Sequence, residues 1–154
     1  MKKGKRRRGW ARLLFVAALG LLVFAIVVAV RWPDVGALAR RNPASTAFID
    51  RYRAACRARG QPDQVAWTWI PYERIAAELK RAVLVGEDIN FFSHHGFDSG
   101  EMRRALQEAW QEKSVPRGAS TISQQTAKNL WLSPAVDPLR KLREALLTRE
   151  LEKK

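Results

Sequence analysis

Eighteen consecutive residues, Leu13 to Val30 (LLFVAALGLLVFAIVVAV), carry no polar side chain. Wound as one helix they extend about 27 Å, close to the hydrocarbon thickness of a bilayer. A core helix of a water-soluble domain would show polar positions on one side, and none occur here. A cleaved signal peptide shares the basic start and the apolar run. The run is longer than the roughly 7–15 apolar residues of such signals, and the nearest small-x-small pattern, Ala37-Leu38-Ala39, lies beyond its end. The sequence therefore predicts an uncleaved transmembrane helix over 13–32, with Trp10 and Trp32 as interfacial anchors. Seven basic residues lie within 1–12 (Lys2, Lys3, Lys5, Arg6, Arg7, Arg8, Arg12), against Arg31 just after the span. That asymmetry predicts a cytoplasmic tail over 1–12, a single pass, and everything beyond residue 31 outside the inner membrane.

The remaining length bounds the fold. A chain of 154 residues with one span leaves room for one modest domain. Its net charge of +13 resides largely in the tail, because the other residues carry 21 basic against 15 acidic groups. That distribution argues against a nucleic-acid partner. A lone Cys56 excludes an internal disulfide or a Cys-rich zinc site, and His94 and His95 are the only histidines.

Residues 33–45 read as a linker broken by Pro33, Gly36 and Pro43, and the domain follows over 46–154. Ser45 is the expected cap of a helix bearing Phe48, Tyr52, Ala55 and Cys56 and stopped by Gly60 and Pro62. Val65–Ile70 alternates briefly, and its Trp67 and Trp69 read as core, with an interfacial place as the alternative. Four helical patterns follow Pro71. The first, about 72–92, sets Ile75, Leu79, Ala82, Val83 and Gly86 on one arc. The second opens at an Asp98/Glu101 capping box and buries Met102, Ala105, Leu106 and Ala109. The third opens near Thr121-x-x-Gln124; the fourth opens at Asp137-Pro138 and shows Leu139, Leu142 and Leu146. With no convincing run of strands, the predicted class is mainly α.

Three segments hold the candidate chemistry. On the first helix the wheel puts Glu87 at the edge of the apolar arc beside Val83, and Asp88 toward Arg81 on the polar side. A partly desolvated carboxylate suits a general acid or base, although the same position also describes an ordinary boundary residue. Gly96 suits a sharp exit into the next cap, and His94 reads as a structural hydrogen-bonding histidine. On the third helix Ser120, Gln124 and Lys128 form a polar row opposite Ile122, Thr126 and Leu130, turned outward or into a cleft. Gly118 and Ala119 are expected to leave the N–H groups of the helix start open to an anion or sugar. Arg140, Lys141 and Glu144 within two turns are either a surface ion pair or a cationic clamp steadied by a carboxylate.

Together these segments closely resemble the peptidoglycan glycosyltransferases of glycosyltransferase family 51. Glu87 to Asp98, as E-D-x-x-F-x-x-H-x-G-x-D, is similar to that family's first motif. Arg117 to Asn129 (RGASTISQQTAKN) is similar to its second, in the form of the monofunctional biosynthetic enzymes, and Arg140-Lys141-x-x-Glu144 to its third. The match covers roughly residues 45–154.

The resemblance implies a lysozyme-like α-helical lobe in the periplasm that polymerises lipid II into β-1,4-linked glycan with release of undecaprenyl pyrophosphate. It assigns catalytic roles to Glu87 and Glu144. Ser120, Thr121, Gln124, Gln125, Lys128, Asn129, Arg140 and Lys141 would bind substrate or pyrophosphate, and Asp88, Phe91, His94, Gly96, Asp98 and Gly118 would shape the motifs. It implies no obligatory cofactor and allows a divalent cation (Mg or Mn) near Glu144. Its partners would be lipid II, the growing lipid-linked glycan, membrane lipid, and cell-division or wall-synthesis proteins. One departure stands out. The family continues past the third motif with a helix containing I-L-x-x-Y-L-N, whereas this chain stops at Glu152-Lys153-Lys154, which predicts a fragment or a truncated protein with an incomplete core.

Two rivals remain. A lytic glycan hydrolase would use Glu87 as general acid but has no need of a phosphate clamp. A membrane-anchored, non-catalytic lipid II-binding module would tolerate loss of the Glu87 carboxylate.

Overall fold

A computed structural model describes residues 3–154, so Met1 and Lys2 of the basic tail, and the side chains of Lys3, Lys5, Arg6, Arg7, Arg8 and Arg12, lie outside the described residues. The chain divides into two units at Asp34/Val35. The first unit is α1, Lys3–Val30, a single helix long and apolar enough to cross a membrane. Among its described side chains, Leu14 and Phe15 are 68% and 69% exposed, an arrangement compatible with a helix solvated by lipid.

The second unit, Val35–Lys154, is helical throughout, with no strand among the described residues, in line with the expected mainly α class. A 3-10 turn, Val35–Ala39, leads to α2, Ala47–Ala58. The N-cap of α2 is Thr46, not Ser45: Thr46 Oγ1 accepts the Ile49 N–H, while the Ser45 hydroxyl bonds Asp50 Oδ1 at 2.5 Å. At the other end Gly60 adopts φ +65, and the Gln61 N–H closes back on Cys56 O at 2.9 Å, a left-handed stop. Trp67 and Trp69 pack on each other with centroids 5.2 Å apart and stay 39% and 50% exposed, so they are not core residues.

The pattern expected over 72–92 resolves into a 3-10 turn at Tyr72–Arg74, α3 at Ala77–Glu87, and a second 3-10 turn at Phe91–Ser93. No residue of α3 is buried, and of the predicted apolar arc Leu79, Ala82, Val83 and Gly86 are exposed and Ile75 is half-buried. Helix α4, Ser99–Glu112, buries Ala105 and Ala109 but not Met102 or Leu106. Its start is half a capping box, since the Asp98 carboxylate accepts the Glu101 N–H while Glu101 turns to arginines instead.

Helix α5, Ile122–Trp131, is the hub and packs on both α2 and α6, Pro138–Leu151. Its capping box is complete: Thr121 Oγ1 accepts the Gln124 N–H, and Gln124 Oε1 accepts the Thr121 N–H at 3.0 Å. Helix α6 opens at the Asp137 cap with Pro138 in its first turn, as expected. The face it buries was not the expected one. Glu144, Leu147 and Thr148 point inward, and Leu139, Leu142 and Leu146 are exposed. The stripe of leucines lost to a face whose carboxylate brings its own counter-ions, as the next subsection shows.

Candidate functional site

The end of α3 sets the first half of the site. Glu87 is its last helical residue, and the backbone leaves helical geometry at Asp88 (φ −164, ψ 76). A helical wheel extended past that point misplaces the next side chain: Asp88 does not point toward Arg81 but is buried, 8% exposed. One carboxylate oxygen pairs with His94 Nε2 at 2.9 Å, and the other accepts the Ile122 N–H at 3.0 Å. Asp88 thus ties the end of α3 to the start of α5. Its neighbour Glu87 is left exposed, with Oε2 accepting from Gln125 Nε2 at 2.8 Å. Phe91 stacks edge-on against the His94 ring, with centroids 6.2 Å apart.

Gly96 completes the junction. It adopts φ +82, its carbonyl accepts the Thr121 hydroxyl at 2.7 Å, and a Cβ on it would lie 2.9 Å from Thr148 Cγ2 and 2.8 Å from Glu152 Cγ. Position 96 therefore excludes side chains on two grounds, backbone conformation and the closeness of α6. Asp98 closes the loop by accepting from Glu101 N and from Asn90 Nδ2, both at 2.8 Å. These two donors, the backbone N–H first, hold its carboxyl below the ordinary 3.8.

Two of the N–H groups at the start of α5 are already taken. The Ile122 N–H is taken by Asp88 and the Gln124 N–H by Thr121, so Thr121 and Gln124 are engaged in the cap of α5, while each also borders a cleft. The accessible backbone lies one step earlier, at Gly118-Ala119-Ser120, and a Cβ at Gly118 would meet nothing within 4 Å.

That segment forms a wall between two clefts. The larger, about 420 Å³, runs from Glu87 and Asn90 to Arg104, Arg117 and Ser120. The smaller, about 210 Å³, shares Arg117, Ala119 and Ser120 and reaches Gln124 and Lys141. Glu87 thus borders one cleft, together with Arg104 and Arg117, and Lys141 borders the other.

Glu144 anchors the cationic side. It is 2% exposed, 2.5 Å from Arg140 Nη1, and also bonded to Lys141 Nζ. Both its oxygens are engaged, so a divalent cation there would have to displace two cationic side chains; the residues present do not fit one. Among the described residues no cluster of three metal-ligating side chains occurs. Arg140 Nε is buried without a protein acceptor, a donor with capacity for an incoming oxygen. Lys128 and Asn129 lie on the last turns of α5, half-buried and exposed respectively, and border neither cleft.

The sequence singles out Arg117 only as part of a motif and Glu101 only as a capping-box partner, and it leaves Arg104 and Asn90 unmarked. The signal was the spacing of Glu101 and Glu108, two turns apart on one side of α4. Arg117 donates through Nε to Glu108 at 2.8 Å and through Nη2 to Glu101, and the two acids, Glu108 first, hold its guanidinium even further toward the charged form.

Comparison with known proteins places this geometry in context. Residues 55–154 match the family model described as Transglycosylase. A biosynthetic peptidoglycan transglycosylase of Aromatoleum aromaticum is 39% identical over 152 residues, 99% of this chain and 64% of the relative. One from Laribacter hongkongensis is 39% identical over 94% of this chain and 60% of its own length. One from an Azoarcus species reaches 45% over 72% of this chain and 48% of its own. The chain spans about three-fifths of the length of the first two of these curated relatives.

Proposed function

Because the chain belongs to the transglycosylase family, matched over residues 55–154, we propose that the whole protein polymerises lipid II into β-1,4-linked glycan at the outer face of the inner membrane. The observation that carries this reading is the wall Arg117–Ser120, with the Glu87 carboxylate on one side and Lys141 on the other. Glu87, exposed in the larger cleft, would take the proton from the 4-hydroxyl of the acceptor N-acetylglucosamine. The freed oxygen attacks C1 of the donor N-acetylmuramic acid, the bond to undecaprenyl pyrophosphate breaks, and the anomeric centre inverts.

Charge leaves with the diphosphate, and Lys141 and Arg140 are the groups to meet it. Glu144 holds both cations in place, so its role is to position them. Gln125, bonded to Glu87, orients that carboxylate, and Ser120 and the open N–H groups of Gly118 and Ala119 offer donors along the wall. Lys128 and Asn129 would act on a longer substrate than the two clefts hold. No cofactor is required by these steps. The orientation, with the tail in the cytoplasm and the helical lobe in the periplasm, rests on the charge asymmetry about α1. Cell-division or wall-synthesis proteins are the expected neighbours.

The test is Glu87→Gln in the full-length protein supplied with labelled lipid II. The expected outcome is a loss of polymer by about 10²-fold or more with lipid II binding retained. Undiminished polymer would overturn the role of Glu87. A second reading, a lipid II-binding module without turnover, is favoured by the uncovered apolar faces of α3 and α6; it predicts that cells tolerate the same substitution.

A further inference from the structure

The wall between the clefts has almost nothing holding it. After Lys113, which ends α4 in a left-handed conformation (φ 51), the Ser114 N–H returns to Ala109 O at 3.0 Å. The next backbone anchor is Ser120 O, which accepts from Gln125 at 3.4 Å. Between them, among the described residues, the only hydrogen bonds made by Val115 to Ala119 are those of the Arg117 side chain.

We propose that Arg117 is a positioning residue: its guanidinium, forked across Glu101 and Glu108, straps the 115–119 segment to α4 and so fixes the distance between the carboxylate cleft and the cationic cleft. Three features support this. The two acids lie seven residues apart, on one side of a helix, which matches a planar fork with separate Nε and Nη2 donors. Glu101 is itself steadied by Arg104 at 2.6 Å, so the contact is a network and not a lone surface pair. And Arg117 borders both clefts, so any swing of its segment changes both at once. With α4 on one side and α5, packed on α2 and α6, on the other, this strap is the connection that sets the segment's place. The consequence for turnover rests on the polymerase reading; the strap itself does not.

The experiment compares Arg117→Gln, Arg117→Lys and the charge swap Arg117→Glu with Glu108→Arg and Glu101→Gln in the full-length protein, using two readouts; the glutamine at 101 removes the like-charge contact that Glu101 would make with the swapped carboxylate. The first is cleavage after Lys113 by a lysine-specific protease, followed by mass spectrometry and needing no substrate. Arg117→Gln is expected to speed it at least about threefold, and the swap to return it toward the parent rate. The second is lipid II turnover: kcat falls about tenfold in Arg117→Gln with KM within about twofold, because the clefts remain but their spacing is loose. The swap should recover most of that loss, and Arg117→Lys, lacking the fork, only part. Unchanged cleavage in Arg117→Gln would overturn the strap. Restored cleavage with turnover still low in the swap would overturn the positioning role, showing that a cation is needed at position 117 itself. If the parent protein makes no glycan, the polymerase reading fails while cleavage still decides the strap.

Discussion

Residue by residue, the junction between the end of α3 and the start of α5 concentrates the constraints. Gly96 sits where only glycine avoids both a left-handed penalty and the side chains of α6. Gly96→Ala should lower stability by about 2 kcal/mol or more, read as a shift in the urea midpoint, because the backbone strain and the overlap with Thr148 add. Asp98 makes a pH prediction. Its folded carboxyl sits below the ordinary 3.8, so its stabilising effect is complete above that value and is lost as pH falls through the lower folded value. Acid unfolding followed by circular dichroism should therefore begin at higher pH in Asp98→Asn than in the parent. The motif residues were legible one by one, because glycines, caps and acidic pairs advertise themselves locally. Asp88 was not. Its inward turn depends on the helix stopping at Glu87, short of the expected 92, a fact set by partners 6 and 34 positions away, which no wheel contains.

Among the elements, caps were read well except at α2, where Thr46 replaces Ser45, and faces poorly. Asp98, Thr121 and Asp137 open their helices where the sequence suggests, since capping is chemistry within four residues. The buried face of a helix is a tertiary matter, and α6 chose Glu144, Leu147 and Thr148 over its leucines because Arg140 and Lys141 neutralise the carboxylate from the same helix. The two threonine caps differ in a way that can be measured. Thr46 caps α2 alone, whereas Thr121 caps α5 and also donates to Gly96 O. Thr46→Ala should cost about 1 kcal/mol and Thr121→Ala roughly twice that, by comparison of unfolding midpoints at equal m.

For the whole molecule, the apolar core is thin. In the unit Val35–Lys154 the buried apolar residues are Val35, Cys56, Ala105, Ala109, Ala127, Leu132 and Leu147, while Phe92, Trp110, Val115 and Val136 are each at least 84% exposed. Prepared alone in water, this unit should bind a hydrophobic dye and unfold in urea with an m value at or below about 1 kcal/mol/M, low for 120 residues, because little surface is left to expose. A steep transition without dye binding would contradict that expectation. The long apolar helix was legible at this scale from composition alone, and an incomplete core was expected; which side chains are left uncovered was not legible, since counting apolar residues says nothing of where they meet.

The ties from Asp88 and Gly96 to the head of α5 have one more consequence. They bring together chain positions 34 and 25 residues apart, so the stretch holding α4 departs and returns at neighbouring points, like a detour off a main road. Such a stretch can be exchanged for another of different length without rethreading the junction, provided the replacement carries acids where Glu101 and Glu108 stand. A chimera in which a foreign helix replaces 99–112, with Lys113 to Ser120 retained and acids placed to meet Arg117, should keep the parent's rate of cleavage after Lys113.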